Sequence, residues 1–109
     1  MVSHRDDIAE LNEPEHGERE LLMRMHDGDE QAFTELVTRY LDHATRFAYY
    51  LVRSQDAAED IVQGVFVSIW EHRHMIDPNR PFKSYLFRSV RNRVYDERKA
   101  SIIRDRYRG

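Results

Sequence analysis

The chain has 109 residues and a mass of 13.1 kDa, which admits one small domain with a single core. With 40% apolar and 34% charged residues it is too apolar for a disordered chain and too charged for a membrane protein, and without cysteine it has no disulfide, thiolate zinc site or cysteine nucleophile. The net charge of −3 hides a gradient: residues 1–30 hold ten acids against three Lys/Arg, whereas residues 80–109 hold ten Lys/Arg against three acids.

Residues 1–16 carry no apolar stripe and contain Pro14, so a flexible acidic arm is expected there. They also lack the apolar core of a signal peptide, and no stretch approaches the ~18 apolar residues that cross a bilayer. A cytoplasmic protein without a membrane segment is expected. A short helix fits residues 18–27, with Leu21, Leu22 and Met25 as its apolar side and Gly28 as its stop. Asp29 suits the N-cap of a second helix, whose apolar face holds Ala32, Phe33, Leu36, Val37, Tyr40, Leu41, Ala44, Phe47, Ala48 and Leu51. Arg53-Ser54-Gln55 breaks it. Asp56 with Glu59 has capping-box spacing and predicts a third helix over about 57–74. Ile61, Val62, Val65, Phe66, Ile69 and Trp70 make its inner face. Asp60, Gln63, Gly64, Val67 and Glu71 make its outer face. Asp77 to Pro81 reads as a loop, and Pro81 fits the first turn of a fourth helix over about 82–103. Strand-like alternation is missing, so the fold class is all-α: a compact bundle of three long helices plus a short amino-terminal one.

The fourth helix carries the most chemistry. Phe82, Tyr85, Leu86, Val90 and Val94 take one side, and Ser84, Phe87, Arg88, Arg91, Asn92, Tyr95, Arg98 and Lys99 spread over the rest. Arg and Lys neutralise phosphates, aromatic rings stack on exposed bases, and Asn makes a bidentate contact to a base edge. The pattern suits a nucleic-acid strand with unstacked bases. It equally suits an amphipathic helix whose Arg stems cover the core. The outer face of the third helix suits either a basic protein partner or plain solvent. His72 and His74 point to different sides of a helix, and His26 and His43 have no second histidine three or four residues away, so no metal site and no cofactor are expected. No nucleophile–base pair or phosphate-cradling loop occurs, so no catalytic residue is expected and the chain does not read as an enzyme.

Three blocks, in order, carry a resemblance: Gly28-Asp29-Glu30-Gln31-Ala32-Phe33-Thr34-Glu35-Leu36 with Tyr40; Asp56 to Phe66 ending at Ile69-Trp70; and Phe82 to Asn92 with Asp96 and Arg98 behind it. Over about residues 18–100 the chain resembles region 2 of the extracytoplasmic-function (ECF) sigma factors of bacterial RNA polymerase. The resemblance implies a function. Region 2 binds the core polymerase, and recognises and melts the promoter minus-ten element during transcription initiation. The helix matching 57–74 docks in that family on the clamp coiled coil of the polymerase's largest subunit. Asp60 and Gln63 match contact positions there, with Glu59 and Val67 beside them. The family usually has Glu after that Gln, whereas this chain has Gly64. The helix matching 82–99 faces the non-template strand of the minus-ten element, and the preceding loop holds a flipped base. Phe82 matches a pocket position, and Arg88 and Asn92 match polar positions. Asn79, Arg80, Lys83, Ser84, Arg91, Tyr95, Arg98 and Lys99 complete the expected DNA-binding set. Tyr85 stands where Trp is usual and Phe87 where Tyr is usual, and Tyr85 and Leu86 are expected in the core. An anti-sigma factor is a further expected partner.

Family members normally carry a second domain, region 4. A 109-residue domain has a radius of gyration near 13 Å, too small to reach both promoter elements. The organisation expected is therefore an arm over 1–16, the region 2 domain over 17–100, and over 101–109 the start of a linker in an excised domain. Two rivals stay open. A helix-turn-helix repressor would bind duplex DNA unaided, and a protein-binding bundle would read no DNA.

Overall fold

The computed structural model describes residues 17–108, so the expected arm lies outside the described residues. Four α-helices follow in order: α1 (Glu18–His26), α2 (Glu30–Val52), α3 (Gln55–Glu71) and α4 (Phe82–Arg108), with a 3-10 turn at Arg73–Met75 between the last two. Among the described residues there is no strand, and the all-α bundle expected from the sequence is what forms. No described helix is long and apolar enough to cross a membrane.

The joints follow from local chemistry. α1 ends in a Schellman turn. The Gly28 N–H donates to the Met25 carbonyl at 2.9 Å and the Asp29 N–H to the Arg24 carbonyl at 2.9 Å. Gly28 sits at φ 97°, where a side chain would strain the backbone. Asp29 then caps α2, accepting from the N–H groups of Gln31 at 2.9 Å and Ala32 at 3.3 Å. The Arg24 guanidinium, 2.9 Å from Asp29, together with the Ala32 N–H holds that carboxyl below the usual range.

At the next joint Arg53 takes the left-handed conformation at φ 57°. Ser54, not Asp56, is the N-cap of α3, with its hydroxyl accepting from the Ala57 N–H at 3.2 Å. The expected Asp56–Glu59 box is thereby corrected: the cap lies two residues before it and the helix begins at Gln55. Asp56 sits in the first turn, where its charge complements the dipole, and Glu59 accepts from the Gln55 amide at 3.0 Å. α3 also ends earlier than expected, at Glu71, because the backbone tightens into the 3-10 turn.

The core is built on a row of four-residue steps along α2. Ala32, Leu36, Tyr40, Ala44 and Ala48 are all buried, and the three alanines let the neighbouring helices come close. Leu41, expected on this face, is 41% exposed at its flank. α3 contributes Ile61, Val62, Val65, Phe66 and Ile69; α4 contributes Phe82, Leu86, Val90 and Val94; α1 contributes Leu21, Leu22 and Met25. Each large side chain so buried stabilises the fold by about 1.5–3 kcal/mol.

Two features of α3 and α4 differ from expectation. Gly64 does not face open solvent: a Cβ built there would lie 2.5 Å from the guanidinium of Arg93, which crosses over from α4. The obstacle is the far end of a side chain that is 43% exposed and held only by a 3.7 Å ion pair to Glu97 one turn along α4, so it can swing aside. Gly64→Ala is therefore expected to raise stability by about 0.5–1 kcal/mol through helix propensity. Chemical denaturation checks this, and a lower midpoint would show that Arg93 is fixed in place. The second feature is the length of α4. It starts at Phe82, so Pro81 precedes the helix instead of lying in its first turn, and it runs five residues past the expected end at Ile103. Every residue from Tyr95 to Arg108 is exposed, so the helix projects beyond the core. This projection lifts the radius of gyration to 16.2 Å.

Candidate nucleic-acid interface

The loop before α4 is held by side chains of its own. Asp77 closes an Asx turn, accepting from the Asn79 N–H at 2.9 Å, and its carbonyl accepts from the Arg80 N–H at 3.1 Å. The Arg80 guanidinium lies 3.6 Å from the Asp77 carboxylate and is otherwise exposed. Buried Ile76 anchors the loop to the core. Between this loop and the first turns of α4 lies a cleft of about 460 Å3, lined by Met75, Ile76, Asp77, Arg80, Pro81, Phe82, Ser84, Tyr85 and Arg88. Loop and helix thus bring together side chains that suit a polyanion's phosphates and a base edge.

Phe82, expected at a pocket position, occupies the floor of this cleft. It is 1% exposed, and its ring packs against Tyr40 at 5.5 Å between centroids. What fixes it is Glu18, a buried carboxylate at the start of α1. One oxygen accepts from the Tyr40 hydroxyl, and the other accepts from the Phe82 N–H at 3.4 Å. One side chain thereby ties α1 to α2 and caps the amino end of α4 from 64 residues away. Sequence reasoning missed Glu18. The signal was present, since Glu18 falls three or four residues before Leu21 and Leu22 and seven before Met25, on the apolar stripe.

Along α4 the exposed face carries Ser84, Arg88, Arg91, Asn92, Tyr95 and Lys99. Two expected members of this face behave differently. Phe87 stacks on Phe47 of α2 at 4.9 Å and 7°, so it packs against the bundle and is only half-buried. Arg98 turns back and donates to the Leu51 carbonyl at the end of α2. Helix-terminal carbonyls lack internal donors and lie at the negative end of the dipole, so a guanidinium within reach is captured. Tyr95, 55% exposed, is left as the aromatic ring open to solvent on this part of α4.

On α3, Glu59 and Gln63 line a groove of about 560 Å3 against Leu41, Asp42, Thr45, Arg46 and Tyr49 of α2. Asp60 and Val67 are seven residues apart and share the next exposed stripe. The four side chains expected on a docking face are therefore contiguous on one side of the bundle. Elsewhere the His26 and His74 rings meet edge-on at 5.2 Å, a pairing that spacing did not show. No group of three metal-ligating side chains forms among the described residues.

A model of the sigma-70 region 2 family matches residues 36–101. The chain belongs to that family. Its relatives place this region 2 in the ECF group. It is 32% identical over 83 residues to the RNA polymerase sigma factor CnrH of Cupriavidus metallidurans, covering 76% of this chain and 44% of that protein. It is 36% identical over 70 residues to the ECF RNA polymerase sigma factor SigL of Mycobacterium tuberculosis, covering 61% of this chain and 40% of that one. Region 2 here therefore spans less than half the length of these relatives. Among solved structures, an engineered region 2 of sigmaE in complex with GTAAAA superposes with a TM-score of 0.72 at 30% identity, covering 80% of this chain and 90% of that one. CnrH in complex with the cytosolic domain of CnrY gives a TM-score of 0.68 at 32% identity, covering 72% and 51%. Sigma factors are transcription factors and not enzymes.

Proposed function

We propose that this region 2 binds core RNA polymerase through α3 and reads the non-template strand of a promoter minus-ten element through α4 and the loop before it, during transcription initiation. One observation carries the reading: its backbone matches, over 90% of that chain, an engineered region 2 of sigmaE solved in complex with GTAAAA. On this reading the cleft takes an extruded base. Extrusion costs a few kcal/mol, and stacking on the order of 1–3 kcal/mol per base with phosphate contacts offsets it. Asn79, Arg80, Lys83, Ser84, Arg88, Arg91, Asn92, Tyr95 and Lys99 supply the contacts. The protein acts as a binding factor without catalysis, in the cytoplasm, where its polymerase works. The likeness to CnrH, solved with the cytosolic domain of CnrY, supports a regulatory protein of the anti-sigma kind as a second partner.

The test is titration of one labelled oligonucleotide, single- and double-stranded, with and without core polymerase. Preference for the single strand is expected, and so is opening of the duplex only with polymerase present. Tight duplex binding by the chain alone points to a repressor, and no DNA binding in any form points to a protein-binding bundle. Docking has its own test. Asp60→Arg with Gln63→Ala is expected to lower polymerase affinity at least tenfold, about 1.4 kcal/mol, with helical circular dichroism unchanged. Undiminished capture of polymerase would remove α3 as the docking face.

A further inference from the structure

We propose a second anion site on the opposite flank of α4: Arg39 and His43 of α2 with Lys83 of α4 form a clamp for a backbone phosphate of the bound DNA strand. This rests on the reading of α4 as a DNA-binding helix. The three basic side chains and Tyr40 line one concavity of about 250 Å3. Arg39 and His43 stand one turn apart on α2, so they present side by side. Lys83 reaches the same hollow from the first turn of α4, its ammonium 5.8 Å above the Phe87 ring. That ring is itself held by its stack on Phe47, so the lysine sits over a fixed platform.

The composition of the hollow points to an oxyanion. No carboxylate lines it, in a chain that has more acids than bases. Among the described residues none of the three groups has a carboxylate within ion-pair distance. Glu35, one turn before Arg39, is exposed and pairs with neither cation, and Asp42 faces the groove on the α3 side. Guanidinium and ammonium groups present donors only, and imidazole adds another donor when its ring nitrogen is protonated. Tyr40 gives its hydroxyl hydrogen to Glu18, so that donor is directed into the core.

Position selects a DNA phosphate over other anions. Lys83 precedes Ser84, which lines the cleft, and one residue is a 100° step around the helix. A strand lying in the cleft and crossing the first turn of α4 passes from Ser84 and Arg88 on one flank to Lys83 on the other. The clamp meets it there and fixes its register without reading a base.

The test is fluorescence anisotropy of the 109-residue chain with labelled single-stranded DNA carrying GTAAAA. The variants are Arg39→Gln with Lys83→Gln, and Arg91→Ala as the reference for α4. The double variant is expected to bind about fivefold to tenfold more weakly at moderate salt, with the salt slope lowered by roughly 0.7 for the one phosphate lost. Replacing single phosphates by neutral methylphosphonate is expected to find one position that weakens the unsubstituted chain but not the double variant. Unchanged binding by the double variant, with weaker binding by Arg91→Ala, overturns the clamp and leaves the reading of α4 standing. No effect from either set, or no binding by the unsubstituted chain, overturns both. Circular dichroism of each variant confirms that these exposed positions leave the bundle folded.

Discussion

Replacing Glu18 by alanine is expected to destabilise the bundle more than any other single polar substitution in it. The carboxylate is buried, and its two oxygens take the Tyr40 hydroxyl and the Phe82 N–H. Truncation leaves both donors without that acceptor. Each buried donor so stranded costs about 1–3 kcal/mol, so the loss is expected at about 2–6 kcal/mol. Small domains hold only about 5–15 kcal/mol in total, so the melting temperature should drop by on the order of 10 °C or more. Tyr40→Phe removes one bond and keeps the ring against Phe82, so it should cost less. A double-mutant cycle separates the pair from the capping of α4. The functional consequence follows from geometry. Phe82 forms the floor of the cleft, so loosening the start of α4 should weaken single-strand binding even at temperatures where the helices persist. A Glu18→Ala protein with an unchanged melting curve would show that the buried carboxylate is not the tie among α1, α2 and α4.

The same residue shows where the sequence could be read and where it could not. Helix existence was legible because apolar side chains recur at steps of three and four, and because Gly28, Asp29 and Pro81 punctuate the chain. The identity of the α3 cap was not. The spacing of Asp56 and Glu59 pointed to Asp56, whereas Ser54, next to the left-handed Arg53, is the cap. The length of α4 was hidden because no Gly or Pro stops it before Gly109. On the face of α4, sequence spacing placed Arg88, Arg91, Asn92 and Tyr95 on the solvent side, where they lie. It also put Phe87 and Arg98 there. Their diversion needed partners 40 and 47 residues away, Phe47 and the Leu51 carbonyl, which no periodicity in α4 records. Likewise Gly64 read as a missing carboxylate, and it is the position over which Arg93 lies. One-dimensional patterns report which side of a helix is wet. They do not report which polar groups on that side are already engaged.

That distinction sharpens what substitutions on α4 should do. Arg91 and Asn92 are neighbours, both exposed, and neither is tied to another helix by a hydrogen bond or ion pair among the described residues. Arg91→Ala is expected to weaken single-strand binding about equally for every sequence and to lower the salt slope by roughly 0.7, because a phosphate contact is lost without any base contact. Asn92→Ala is expected to relax preference at one base by about 1–3 kcal/mol, because an amide that bonds a base edge discriminates and a phosphate contact does not. Arg98 provides the contrast. Its guanidinium already serves the Leu51 carbonyl, so Arg98→Ala should lower stability at the α2 terminus more than it lowers DNA affinity. The measurement is anisotropy on a small panel of non-template-strand oligonucleotides at several salt concentrations, with core polymerase present, alongside melting curves for each variant. If Arg91 and Asn92 variants shift all oligonucleotides by the same factor, α4 is a basic surface that holds DNA without reading it. If only the Asn92 variant changes the ranking of sequences, base reading lies on the stripe that runs from the cleft through Arg88 to Asn92.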